Sequence, residues 1–111
     1  MRQVQHTLAV TAPARGLHEI TDAVCAWVDA QYVGTGLLTL YIRHTSASLV
    51  IQENADPQVQ RDLEAFMDRL VPDGDALYHH TAEGPDDMPA HVKGALTQTQ
   101  LQIPVTGSAL A

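Results

Sequence analysis

The chain has 111 residues, of which 45% are apolar and 17% charged, so it is expected to fold as one globular domain with a real core rather than to remain disordered. Thirteen acids against six bases leave a net charge of −7, which argues against a basic stripe for nucleic acid. No apolar run is long enough to span a bilayer, no charged-then-apolar signal opens the chain, and a single cysteine excludes an internal disulfide and fits a reducing compartment such as the cytoplasm.

In chain order, Val4, His6, Leu8 and Val10 alternate with Gln5, Thr7 and Ala9, which predicts a half-buried strand. His6 reads there as a buried or edge histidine with a backbone partner in preference to a ligand. T-A-P-A-R-G then turns the chain into a helix with Leu17, Ile20, Val24, Trp27 and Val28 at helical spacing and Gly34 as its stop. Glu19 and Asp22 suit the positive end of the helix dipole. Cys25, between Ala23, Val24, Ala26 and Trp27, is expected as a small buried apolar residue rather than a nucleophile.

Gly36 opens a second strand in which Leu38, Leu40, Ile42 and His44 share one face, so His44 ends an inward-facing row where a rigid scaffold can aim a side chain. Thr45 and Ser46 fall at the bend that follows. Their hydroxyls and backbone N–H groups could hold an anion such as phosphate or form an ordinary Ser/Thr turn. S-A-S-L-V-I-Q-E-N reads as a further strand, with Glu53 and Asn54 at its end. Asp56 is then an N-cap with Pro57 at the first helical position, ahead of an apolar stripe of Val59, Leu63, Phe66, Met67 and Leu70.

The chemistry-bearing stretch is Y-H-H-T-A-E-G-P-D-D-M-P-A-H-V-K-G-A-L, from Tyr78 to Leu96. His79, His80, Glu83, Asp86, Asp87 and His91 crowd into it, the side chains that hold divalent metals and move protons near neutral pH. Gly84-Pro85 makes the first half a loop, and Pro89 suits the first turn of a short helix that carries His91. His44, His80, Glu83 and His91 could form a metal or acid–base site, with an Asp of the Asp86–Asp87 pair as an alternative carboxylate. A solvated acidic loop with incidental histidines is the other reading. Adjacent residues in an extended segment point to opposite sides, so only one of His79 and His80 can readily join. Gln100 to Val105 alternates again, with Pro104 arguing for an edge strand or a bulge. The order β-α-β-β-α-loop-α-β describes an α+β domain with a mostly antiparallel sheet.

R-H-T-S-A-S-L-V-I-Q-E-N-A-D-P, then Y-H-H-T-A-E-G-P-D-D-M-P-A-H-V-K, then L-Q-I-P-V closely resembles the YjbQ family, also called secondary thiamine-phosphate synthases. His44, Glu53, Asn54, Asp56, His80, Glu83, Asp86, Asp87, His91 and Lys93 fall on motif positions, and His79 on a variable one. The resemblance implies a single YjbQ-like domain over residues 1–111, with an antiparallel β-sheet sandwich and covering helices. It also implies a homotrimer with clefts between subunits. The implied activity is a weak thiamine-phosphate synthase, joining hydroxymethylpyrimidine diphosphate to thiazole phosphate with release of pyrophosphate; the alternative is a metal-binding structural or regulatory homotrimer. The implied site has His44, Glu83 and His91 in catalysis and His44, His80 and His91 on a divalent metal such as zinc or magnesium. Thr45, Ser46 and Lys93 are then substrate contacts, with Arg43 as a further anion contact. Family members continue past this point with another strand, which is expected to be missing here or to lie outside the sequence covered.

Overall fold

The computed structural model describes residues 1–111 throughout. In chain order it contains α1 (Thr21–Ala30), β1 (Thr35–Tyr41), α2 (Pro57–Leu70), α3 (Asp87–Leu96), β2 (Gln100–Thr106) and β3 (Ala109–Leu110). The strands form one antiparallel sheet in the order β1-β2-β3, so the fold is α+β. No helix is long and apolar enough to cross a membrane. The chain groups into two compact units, Met1–Gly36 with Pro104–Ala111, and Leu37–Ile103.

In the first unit α1 packs against β3 and buries Val24 and Val28, four residues apart on one helix face. Val105 is the third buried apolar residue there. The helix begins at Thr21, after Leu17 and Ile20 rather than with them, and its cap residue Ile20 makes no side-chain capping bond. It ends in a left-handed Tyr32 (φ 54°), not at Gly34. Cys25 is exposed, contrary to the sequence expectation. It follows Val24 by about 100° around the helix, and its wholly apolar neighbourhood hid which face is buried. The expected strand over Val4–Val10 is absent. Its His6 ring instead stacks on Trp27, centroids 5.7 Å apart and 12° from parallel. Alternation marks a face, but a strand also needs a neighbouring edge to bond, and this segment pairs with none.

The β2–β3 hairpin pairs Val105 with Leu110 and Thr106 with Ala109. Gly107 and Ser108 link them, both at positive φ (59° and 63°), the turn whose twist matches antiparallel strands. Pro104 lies in the middle strand, not at an edge. A residue of an antiparallel ladder aims its N–H and C=O at the same neighbour. The Pro104 carbonyl accepts from Ala111 N, so the donor that proline lacks would face Ala111 across the same pair.

In the second unit Leu38 is buried and Leu40 and Ile42 half-buried, as the alternation predicts. Val71 and the fully buried Pro89 complete this small core. The expected strand through S-A-S-L-V-I-Q-E-N is reduced to one bridge, Leu49 to Gln98, and Val50 and Ile51 remain exposed. Alternation foretold the extended backbone but not that only one residue would find a partner. Helix α2 starts as expected, with Asp56 Oδ1 accepting from Gln58 N at 2.9 Å and Pro57 next. Its stripe is incompletely covered, since Phe66 and Leu70 are each more than half exposed.

Helix α3 begins at Asp87, two residues before Pro89. Proline is tolerated at the third position because the first four N–H groups of a helix have no intrahelical acceptor. Two of the features that place α3 lie near its end. Lys93 Nζ donates to Asp68 Oδ1 of α2 at 2.8 Å, and Gly94 brings the helix close to the turn after β1, where a Cβ would lie 3.2 Å from the Thr45 carbonyl oxygen.

That close approach generates a test. Gly94→Ala forces the turn and helix apart and is expected to cost about 1–3 kcal/mol, the range for overpacking. Asp56→Ala, which removes the cap of α2 instead, should cost about 1 kcal/mol. Urea unfolding of both variants checks this; a Gly94→Ala protein as stable as wild type would show that the turn yields freely.

Candidate functional site

Three chemistry-bearing side chains converge at the start of α3: His80, Asp87 and His91, whose ligand atoms all lie within 4.8 Å of one another. Because α3 starts at Asp87, Asp87 and His91 are separated by one helical turn and face the same way. His80 comes from the preceding loop. Asp87 Oδ2 is the hub, 2.8 Å from His80 Nε2 and 3.2 Å from His91 Nε2. The two rings meet edge to face with centroids 5.5 Å apart.

The other nitrogen of His91 fixes what this ring can do. Nδ1–H donates to the Thr45 carbonyl at 2.9 Å, across 46 residues of sequence. With Nδ1 protonated, Nε2 facing a carboxylate is attractive only if Nε2 also carries a proton or if a cation lies between the two atoms. Desolvation pushes the Asp87 carboxyl up. It is outweighed by the hydrogen bond from His80, the charges of His91 and His80 and a hydrogen bond with Glu83, which together hold Asp87 below the usual carboxylate value. The sign follows from linkage: the ionised Asp87 contributes stability that is fully present above the unfolded value of about 3.9, and loses it as pH falls through the lowered folded value.

Of the residues singled out from sequence, the structure brings His80, Asp87 and His91 together, with Glu83 against Asp87. Asp86 is the cap residue of α3, and His79 lies outside the cluster. His44 is also outside this ligand group; it lines an open depression of about 650 Å³ with His91, Arg43, Thr45, Tyr41 and Thr99. In the bend after β1, Ser46 N–H is directed at His44 Nδ1, 3.0 Å away, while Thr45 lines the depression. Ser46 Oγ lies 2.9 Å from the same nitrogen. Lys93 is engaged with Asp68. Glu53 and Asn54 are exposed and line neither the depression nor the cluster. The hub role of Asp87 is the feature sequence reasoning left undecided. Its signal was the D-x-x-x-H spacing, which becomes one helix face only if the helix begins two residues earlier than Pro89 suggested.

A family model described as UPF0047 protein YjbQ-like matches residues 6–111. The UPF0047 protein sll1880 of Synechocystis is 47% identical over 109 residues, 98% of this chain and 74% of that protein. The UPF0047 protein YjbQ of Escherichia coli O157:H7 is 46% identical over 102 residues, 91% of this chain and 73% of that one. Among solved structures, the conserved hypothetical protein TT1486 of Thermus thermophilus superimposes with a TM-score of 0.83 at 34% identity, over 94% of this chain and 78% of that one. A hypothetical protein of Aeropyrum pernix, APE1520, gives 0.76 at 26% identity, over 86% and 69%. The fold, the ordered motifs and these relatives agree, and the chain belongs to the YjbQ-like UPF0047 family.

Proposed function

We propose that this chain is an enzyme acting on phosphorylated heterocycles, with thiamine-phosphate-synthase-like chemistry at a divalent-metal site held by His80, Asp87 and His91. The observation that carries the reading is the convergence of three donor atoms within 4.8 Å, one of them on a ring that also lines the depression. The set fits a metal. Tetrahedral coordination at about 2.0–2.1 Å separates donors by about 3.4 Å, close to the 2.8 and 3.2 Å contacts on Asp87. Two imidazoles and a carboxylate suit zinc better than magnesium, which prefers oxygen donors. The Thr45 carbonyl is the outer hydrogen bond that fixes the tautomer of a metal-binding histidine. Three protein donors leave a position for substrate or water, as in catalytic zinc sites.

Bound there, a divalent cation supplies charge neutralisation for a departing diphosphate. The protein's own part is orientation. Asp87 holds both rings, Thr45 sets the His91 ring, and Arg43, which pairs with no carboxylate, offers a cation at the depression. Glu83, hydrogen-bonded to Asp87, is the candidate proton carrier. Contact of Lys93 with a substrate phosphate requires its Asp68 pair to open.

A homotrimer working in the cytoplasm completes the reading. Its support is the apolar surface of the second unit, where Phe66, Leu70, Val50 and Ile51 are each more than half exposed. The same surface favours a second account, a trimer whose metal is structural or regulatory and whose synthase activity is incidental.

Metal analysis of the purified protein after equilibration with zinc is expected to find one equivalent per chain, lost in Asp87→Asn and in His91→Ala; a wild type that retains none sinks the metal reading. His44→Ala and His91→Ala should each abolish thiamine-phosphate formation, while His79→Ala stays close to wild type. Equal loss in all three signals general destabilisation, and no loss in any leaves the structural account as the better one. Light scattering should return three times the chain mass at micromolar concentration, a monomer ruling out the trimer.

A further inference from the structure

His44 and His91 line one depression, yet their rings are wired in opposite senses. His91 Nδ1 donates, to the Thr45 carbonyl. His44 Nδ1 accepts, because the group 3.0 Å from it is the Ser46 backbone N–H, which can only donate. The neutral His44 ring therefore carries its proton on Nε2, and that N–H is left without a protein partner. A ring so fixed has no free lone pair for a metal; what it offers is a hydrogen-bond donor.

The surroundings say what such a donor meets. No carboxylate lines the depression, although the chain carries thirteen acids against six bases. Arg43 is there, and no carboxylate pairs with it. A concave surface that gathers a guanidinium and a ring N–H while excluding acids, in a protein of net charge −7, matches an oxyanion.

We propose that His44 binds a phosphoryl oxygen of the ligand through Nε2–H and is not a metal ligand, and that Ser46 is the positioning residue that holds the ring in this tautomer. The inference deepens the proposed function by assigning the depression to the phosphate or diphosphate group of the substrate. It rests on that reading only for the identity of the substrate, since an oxyanion can be offered without metal.

The test uses the full chain in two conditions. In metal-free protein, inorganic phosphate and inorganic pyrophosphate are titrated separately by calorimetry, so that a monophosphate and a diphosphate preference are distinguished. Wild type is expected to bind at least one of them. His44→Ala should weaken that binding about tenfold, the scale of one charge-assisted hydrogen bond. His44→Gln, whose side-chain amide can restore a donor, should recover most of it. Nitrogen-15 spectra should show the Nε2–H tautomer of His44 in wild type and a mixture in Ser46→Ala. In zinc-equilibrated protein, His44→Ala should keep the zinc that His91→Ala loses. Zinc loss from His44→Ala, unchanged phosphate and pyrophosphate binding in that variant, binding of neither anion by wild type, or an Nδ1–H tautomer would each overturn the proposal. If wild type takes up no zinc at all, the metal reading falls while the anion titration still decides the role of His44.

Discussion

The hydrogen bond from His91 Nδ1–H to the Thr45 carbonyl is the contact on which the rest of the candidate site depends. It joins helix α3 to the turn after β1 across 46 residues, and in doing so settles which nitrogen of His91 is available to Asp87. The backbone makes it possible. At Gly94, three residues on from His91, the helix backbone lies close to that carbonyl, and a methyl group there would meet the oxygen at 3.2 Å. A glycine inside a helix costs up to about 1 kcal/mol relative to alanine, a cost offset here by letting two elements approach closely enough to share a hydrogen bond. The turn itself is held from the other side by Ser46 on His44. Two consecutive residues, Thr45 and Ser46, thus orient two histidines, one through a carbonyl and one through an amide.

How much of this was legible in the sequence varies with the kind of information each feature needs. Local chemistry read well. Asp56-Pro57 started α2 where a cap and a proline should, and the Leu38-Leu40 alternation of β1 came out with its buried face correct. The strands that failed, Val4–Val10 and Ser46–Asn54, have equally regular alternation. What they lack is a partner along their length, and a partner belongs to the fold, not to the segment. The β2–β3 hairpin shows the converse. Gly107-Ser108 is a turn signal of the right length, but a two-residue strand is too short for alternation to register.

The site followed the same division. The histidines and acids were visible as a group because they lie close in sequence, and the pairing of His80 rather than His79 followed from the alternation of an extended segment. Helix register was the harder part. Proline at the first helical position is a preference, not a rule, and reading Pro89 that way placed Asp87 in the loop. With the helix starting at Asp87, the acid and His91 fall one turn apart and Asp87 becomes the hub. The tautomers were out of reach altogether. Nothing in R-H-T-S announces that a serine amide two residues on will cap the histidine ring.

On the proposed reading, the charge layout makes physical sense of an acidic protein handling anions. Surface carboxylates spread over a chain of net charge −7 repel a phosphate at long range, but salt screens that repulsion beyond about 8–10 Å. What decides binding is the local arrangement. Here one carboxylate, Asp87, is drawn between two imidazoles, and none faces the depression. In the proposed reading a divalent cation on His80, Asp87 and His91 leaves one net positive charge at the edge of a surface that already holds Arg43 and the His44 donor. On that reading an acidic chain selects a diphosphate by keeping carboxylates off a single concave patch while its exterior elsewhere stays self-repelling.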